Sequence, residues 1–223
     1  MTDAAPESPI AVAIVPVTPF QQNCSLVWCR KTNRGAVVDP GGEVDRLEAG
    51  IRECGFEPEK ILITHGHIDH AGGAAELSQR LDVPIEGPHR DDLFLIEAME
   101  ESAARWGLAD ARPFEPARWL TAGDMVTVGA LDFEVFHCPG HTPGHVAYLY
   151  RPARLAFVGD VLFQGSIGRT DFPRGDHATL IRSIREVLFP LGDDIAFIPG
   201  HGEPSTFGDE RRTNAFVGDR LFA

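Results

Sequence analysis

Thr64-His65-Gly66-His67-Ile68-Asp69-His70 crowds three histidines and an aspartate into six residues. Chance would place such a cluster in a chain of this composition roughly once in a thousand, so the stretch is read as a site first. It follows the apolar run Ile61-Leu62-Ile63, a short buried strand. It precedes a helical pattern from Ala71 to Leu81, with Ala74, Leu77 and Leu81 on one face. The cluster therefore lies at a strand's carboxyl end, where sites collect in layered structures of sheets and helices. On an extended loop His65 and His67 point to one side, while Asp69 and His70 sit on the turn into the helix. Such a cluster can serve two metal ions at once.

Working outward, three more polar residues follow apolar strands. His141 lies in His137-Cys138-Pro139-Gly140-His141-Thr142-Pro143-Gly144-His145, Asp160 in Phe157-Val158-Gly159-Asp160, and His201 in Ile198-Pro199-Gly200-His201-Gly202. A glycine before each is expected to let the backbone turn tightly. Asp160 or His201 alone would read as a turn residue, but four strand-end polar sites in one chain favour ligands. Imidazole with carboxylate suits Zn, Mn, Fe or Ni. Two ions about 3.5–4 Å apart can share one carboxylate and one hydroxide, and the pKa of bound water then falls toward ~7. Hydrolysis by such a centre needs no Ser or Cys nucleophile, and Gly165-Ser166-Ile167-Gly168 lacks the spacing of a serine-hydrolase elbow.

The rest of the chain reads as mixed strands and helices. Residues 1–9 are polar with two prolines and are expected to form a loose leader. Strands are expected at 11–15, 24–29, 35–38, 125–128, 133–137, 146–150, 155–158 and 195–198. Helices are expected at about 44–54, 89–106 and 176–188. Asp39-Pro40-Gly41-Gly42 reads as a turn. With no clear linker, one layered domain over residues 10–223 is expected.

The chain has 223 residues, enough to bury a sizeable core, and a net charge of −13. That charge repels phosphate backbones and anionic lipid, so neither a nucleic acid nor a membrane is expected as partner. No apolar run approaches the ~20 residues that span a bilayer, and the first residues show no secretory pattern. Four cysteines, Cys24, Cys29, Cys54 and Cys138, form no CxxC pair, which suits a reducing, cytoplasmic setting.

Taken in order, THGHIDH, PGHTPGH, GD and PGHG across residues 64–202 resemble the metallo-β-lactamase superfamily. The resemblance implies an α+β fold, an αββα sandwich with metals at one edge. Carried over position by position, His65, His67 and His141 resemble ligands of a first metal. Asp69, His70 and His201 resemble those of a second, and Asp160 the bridge. Asp69 and Asp160, with a metal-bound hydroxide, are then the catalytic groups. His145 is no ligand in that pattern and is expected to support one. The implied cofactor is two divalent ions, zinc first, with iron or manganese as options.

Gln22-Asn23-Cys24, Val38-Asp39-Pro40-Gly41-Gly42 and Gly168-Arg169-Thr170-Asp171-Phe172 resemble the glyoxalase II-like branch, and its single-domain bacterial hydroxyacylglutathione hydrolase-like members best. That implies hydrolysis of a glutathione thioester of the S-D-lactoylglutathione type, by attack of the metal-bound hydroxide on the thioester carbonyl. The chain departs from the branch in three ways. Only 22 residues follow His201, so the helical extension of typical members is expected to be missing. The segment between His70 and His141 is long, with a helical insertion expected around 88–118, as a packed surface helix or a lid. Asn214-Ala215-Phe216 replaces an Asn-Pro-Phe ending.

Among smaller features, Arg169 is a candidate to hold a substrate carboxylate, against an internal ion pair with Asp171 or Asp176. Arg211 and Arg212 are candidates for the same end. Cys138 reads as a buried thiol, and His89 and His177 as surface residues. The chain also resembles persulfide dioxygenases, whose single iron would sit on His65, His141 and Asp160, so the ligands alone do not separate the two activities. The charge disfavours a nuclease, and β-lactam hydrolysis would call for export. The pattern does not disclose the oligomeric state.

Overall fold

The computed structural model describes residues 8–108 and 111–222. Most of the expected leader therefore lies outside the described residues, as do residues 109 and 110 of the 88–118 segment.

Strand after strand, alternate residues go to two different cores. The first sheet is built from β1 (Ile10–Val17), β2 (Gln22–Cys29), β3 (Arg34–Val38), β4 (Glu57–Leu62) and β5 (Ile85–Glu86), in that order. α1 (Val44–Cys54) follows β3, while α2 (Ile68–Ala71) and α3 (Ala74–Leu81) follow β4. α4 (Leu93–Glu97) and α5 (Met99–Trp106) come after β5. The second sheet takes β6 (Met125–Val128), β7 (Leu131–His137), β8 (Val146–Tyr150) and β9 (Leu155–Gly159). β10 (Leu162–Phe163) and β11 (Ser166–Ile167) form a small ribbon, and α6 (His177–Arg182) runs on into a wide turn, Ser183–Leu188. β12 (Ala196–Pro199) and β13 (Ser205–Thr206) then complete the second sheet, ordered β13-β12-β9-β8-β7-β6, and α7 (Phe207–Thr213) follows.

Leu26, Val37 and Ile61 face α1, α3 and α5 in an outer core with Leu47, Leu77 and Met99. Their neighbours Val27, Ala36, Val38 and Leu62 face the other way, onto Val126, Phe133, Val135, Tyr148 and Phe157 of the second sheet. The second sheet repeats the pattern: Tyr148 and Tyr150 point inward, and Ala147, Leu149 and Val158 pack outward on Leu180, Ile184 and Phe207. Three stacked cores make four layers, an αββα sandwich, as expected. All five residues of β8 are buried because both its faces are covered. Each such large apolar side chain contributes about 1.5–3 kcal/mol by leaving water.

The strands also give the site its location. β7 and β9 both run antiparallel to β8, and β9 is parallel to β12, so β7, β9 and β12 all end on the same side. The loops after them carry His141, Asp160 and His201. The loop after β4 meets them there: Val146 N–H donates to the Thr64 carbonyl at 2.8 Å, and Tyr148 Oη donates to the Ile63 carbonyl at 2.7 Å.

Several expected elements differ in detail. The helix read from Ala71 to Leu81 is two pieces, broken at Gly72-Gly73, because Gly73 N–H donates to the Pro40 carbonyl at 2.8 Å. The stretch 89–106 is a short 3-10 turn, Arg90–Asp92, followed by α4 and α5. β4 begins at Glu57, four residues before its apolar run. Its first half extends past β5, which pairs only with Ile61 and Leu62, so it stays half-exposed and polar. The two-residue strands β5, β10, β11 and β13 are too short to show a period, and the apolar signal of α7 is weak.

Candidate metal centre

The Thr64–His70 loop is shaped from below by residues 39–42, which do more than turn. Asp39 adopts a left-handed backbone, φ 53°. A Cβ on Gly41 would lie 1.6 Å from the Asp69 carbonyl oxygen, so only glycine lets the loop pass beneath the turn. The glycines before the other three polar residues divide in role. Gly140 and Gly159 take positive φ, 135° and 47°, as expected for tight turns. Gly200 has no positive φ; a Cβ there would meet Asp160 Oδ1 at 2.1 Å, so it is small to let a side chain in.

All seven expected ligand side chains converge. His67 Nδ1 lies 3.1 Å from His65 Nε2 and 2.9 Å from His141 Nε2, a compact three-nitrogen group. Asp69, His70 and His201 form a second: Asp69 Oδ2 lies 3.2 Å from His201 Nε2 and 3.9 Å from His70 Nε2. Asp160 stands between them. Its Oδ1 is 3.2 Å from His70 Nε2, and its Oδ2 is 3.6 Å from His141 Nε2 and 3.7 Å from His201 Nε2.

This donor set fits a cation. His70 Nε2 and Asp160 Oδ1 face each other, both buried, and neither has a hydrogen bond. Buried polar atoms without partners are costly, and a cation taking the place of the His70 proton would satisfy both. Burial, reinforced by neighbouring imidazoles, holds His65 well below its usual pKa, brings His67 down to about 3, and also lowers His141. These rings are neutral at physiological pH, with lone pairs free. Burial alone would raise the pKa values of Asp69 and Asp160, but His70 beside them and the other histidines hold both down and ionised. Burial would lower His70, yet Asp160 and Asp69 raise it well above the usual value; His201 is likewise raised, through Asp69 and Asp160. A divalent ion would take the place of those protons.

The rings are oriented from behind. His70 Nδ1–H donates to Asp39 Oδ2 at 2.9 Å, and His141 Nδ1–H to the Arg169 carbonyl at 2.7 Å. His201 Nδ1–H donates to the Phe20 carbonyl at 3.1 Å, and His65 Nδ1–H to Thr64 Oγ1 at 3.1 Å. Thr64 in turn donates to Asp39 from Oγ1 at 2.6 Å and from N–H at 2.7 Å. Each bond fixes a tautomer and points the other ring nitrogen at the cluster. His145, buried and neutral, stacks on His65 and accepts the Asp160 N–H at 3.0 Å through Nε2. It touches the cluster through the Asp160 backbone and the His65 ring.

Two acids behind the cluster went unrecognised in the sequence. Asp39 read as a turn residue. Asp92 looked like one polar residue in a helical stretch, but it is fully buried. Its Oδ2 accepts Gly66 N–H at 2.9 Å and Thr142 Oγ1–H at 2.8 Å, and its Oδ1 accepts Gly144 N–H at 2.6 Å. It therefore ties the His65–His67 loop to the loop carrying His141, and burial pushes its pKa up to about 6 against those bonds. The nearest signal was its position just before the apolar run Leu93-Phe94-Leu95-Ile96.

The remaining candidates fall outside the cluster. Arg169 is exposed and paired with Asp171 through two bonds, 2.9 and 2.7 Å, with its guanidinium 4.6 Å over the Phe172 ring. Phe172 itself packs on His67, 4.8 Å between ring centres, and on His141, 5.7 Å. Arg211 and Arg212 pair with Asp193 and Asp209 instead of reaching the centre. Cys138 is a buried thiol pushed up to about 12, and all four cysteines are free. His177 is exposed as expected, but His89 is not: it is half-buried and stacked on His137, 4.3 Å between ring centres, because the chain after β5 folds back against the end of β7.

Residues 17–201 match the metallo-beta-lactamase superfamily. The chain is 49% identical to hydroxyacylglutathione hydrolase GloC of Haemophilus influenzae over 94% of this chain and 99% of that protein. It is similar to the solved structure of TTHA1623 in a di-iron-bound form, with a TM-score of 0.84 and 40% identity, over 92% of this chain and 100% of that one. It also superposes on the BLEG-1 B3 metallo-beta-lactamase with a TM-score of 0.85 and 32% identity, over 93% of this chain and 99% of that one.

Proposed function

Because the chain belongs to the metallo-beta-lactamase superfamily, we propose that it is a metal-dependent hydrolase of acylglutathione thioesters, of the S-D-lactoylglutathione type. The observation that carries this is the carboxylate of Asp160, standing between the His65-His67-His141 group and the Asp69-His70-His201 group. The likeness to GloC, over nearly the whole of both chains, supplies the thioester.

In this reading His65, His67 and His141 would hold one divalent ion and Asp69, His70 and His201 a second, with the Asp160 carboxylate available to either group. Zinc is the first choice, and iron or manganese also suits the donors. The ions, when bound, supply Lewis acidity and a water that ionises near neutral pH. The chain's own residues do the rest. His70 and the other rings keep Asp160 ionised, and Asp160 sets the spacing of the two groups. Asp69, ionised and partly exposed, orients the attacking water. Phe172 covers His67 and His141 on one side and limits access of bulk solvent. Arg169 meets a substrate carboxylate by exchanging its exposed partner Asp171, a small cost for two solvated groups. Cys138, on the loop that carries His141, does not compete as nucleophile: it is buried and protonated.

We assign one catalytic domain to residues 10–223, with 88–118 as an insertion. No helix among the described residues is long and apolar enough to cross a membrane, and a charge of −13 does not invite nucleic acid. Free cysteines accord with work in the cytoplasm. The persulfide dioxygenase reading uses only His65, His141 and Asp160, and leaves the convergence of Asp69, His70 and His201 without a purpose.

The test is elemental analysis of protein purified without added metal, followed by two assays. About two ions per chain, with turnover of S-D-lactoylglutathione, is the expected result. One iron per chain, with oxygen consumption on glutathione persulfide and no thioesterase, would overturn the reading.

A further inference from the structure

Glutathione thioesters carry two carboxylates, and this chain carries a net charge of −13. Two carboxylates call for more than one positive group at the rim. Arg169 serves one of them only by giving up Asp171, and Arg211 and Arg212 pair with Asp193 and Asp209 away from the centre. Arg174 differs. It is exposed, and it has no carboxylate partner among the described residues. Its guanidinium carbon stands over an aromatic face, 4.0 Å from the centre of the Phe94 ring.

The place of this contact matters. Arg174 stands two residues after Phe172, whose ring packs on His67 and His141. Its loop is fastened to the centre, since His141 Nδ1–H donates to the Arg169 carbonyl and Asp176 N–H to the Gly140 carbonyl. Phe94 comes from the other side. It follows Asp92, which holds the loops of His65–His67 and His141, and precedes Leu95, whose Cβ lies 2.8 Å from where a Cβ on Gly66 would be. The Arg174–Phe94 stack thus spans two segments that flank His67. The backbone is also unusual: Arg174 sits at φ 63°, where glycine is the comfortable residue and a long side chain is a cost. Stacking holds the guanidinium in one orientation and leaves its fork of donors open.

We propose that Arg174 is a substrate-recognition residue, binding a carboxylate of the glutathione part of the substrate at the His67–His141 side of the centre. The proposal rests on the thioesterase reading above. It gives the thiol moiety a side, so that the acyl group is directed toward the His201 side. The contact forms equally in ground and transition states, so its loss raises KM and leaves kcat nearly unchanged.

The experiment compares the metal-loaded parent with Arg174→Gln and Arg174→Lys on two substrates. One is S-D-lactoylglutathione and the other the uncharged S-lactoyl-N-acetylcysteamine. Metal content and thermal midpoint serve as folding controls. Arg174→Gln is expected to lower kcat/KM for the glutathione thioester about ten- to a hundredfold, through KM, the loss of one charge-assisted contact. The loss on the uncharged thioester should be at least tenfold smaller, and Arg174→Lys should recover part of the deficit. Equal losses on both substrates, or none on either, would overturn the assignment while leaving the hydrolase intact. If the parent hydrolyses neither substrate, the thioesterase reading falls. Calorimetric binding of S-methylglutathione to parent and Arg174→Gln then decides the arginine alone: a weakening of tenfold or more supports it, and an unchanged affinity overturns it.

Discussion

Asp39 and His70 meet at 2.9 Å, Oδ2 to Nδ1, where both are buried. The contact fixes the orientation of the His70 ring and aims its Nε2 at Asp160. Asp39→Asn would put an amide where a carboxylate accepts three hydrogen bonds, two from Thr64 and one from His70. Partners of this kind are worth about ten- to a hundredfold in metal affinity. We expect Asp39→Asn to lose metal in that range in a chelator competition, with circular dichroism unchanged. Full metal retention would remove Asp39 from its orienting role.

Asp160→Asn tests the shared carboxylate. It keeps the shape of the side chain and removes the charge that reaches His70, His141 and His201. Metal content and turnover should both fall, and undiminished values would sink the bridging assignment. His145→Ala, which loses a contact to the Asp160 backbone and a stack on His65, should cost less than His141→Ala in both measures. Equal losses would make His145 a ligand.

Asp92 joins two loops that the chain places 75 residues apart, from Gly66 to His141. Asp92→Ala would leave two buried N–H groups and a hydroxyl without an acceptor. Each such group costs about 1–3 kcal/mol, so the variant should melt well below the parent in urea. Asp92→Asn, which keeps the volume, should lose less stability yet still bind metal more weakly.

The metal-free protein should be most stable near pH 6.5. Below that value an unfolded chain takes up protons that His65, His67, His141 and His145 refuse in the fold, so stability falls as pH falls toward about 3, where His67 titrates. Each such ring contributes up to about 1.4 kcal/mol per pH unit. Asp92, raised to about 6, opposes this with one group. Above pH 6.5 the sign reverses: His70 and His201 keep protons that the unfolded chain releases, and stability falls as pH rises. Metal binding replaces those protons and should flatten the alkaline limb in a thermal-shift series. An alkaline limb unchanged by metal would contradict the account.

The sequence carried the seven polar residues plainly because ligand chemistry depends on residue type, and few types can do it. The Thr64–His70 cluster stands out by itself, and Asp160 and His201 stand out because they share its setting after a strand. Asp39 and Asp92 do their work by accepting hydrogen bonds from backbone and threonine, which any surface aspartate does as well. Nothing local separates them from turn and helix-start residues. The break at Gly72-Gly73 was hidden for a similar reason: its cause is the Pro40 carbonyl, 33 residues earlier in the chain. β7 was legible because its apolar residues alternate, and β3 because an apolar run ends at a turn signal, both faces of that strand being covered.

The loop after β4 belongs to one sheet, and the loops after β7, β9 and β12 to the other. A half-formed chain, with one sheet and its helices in place, holds His65, His67, Asp69 and His70 but neither Asp160 nor His201. It is a poor chelator. The full set of seven converging side chains therefore exists only once the two sheets have docked.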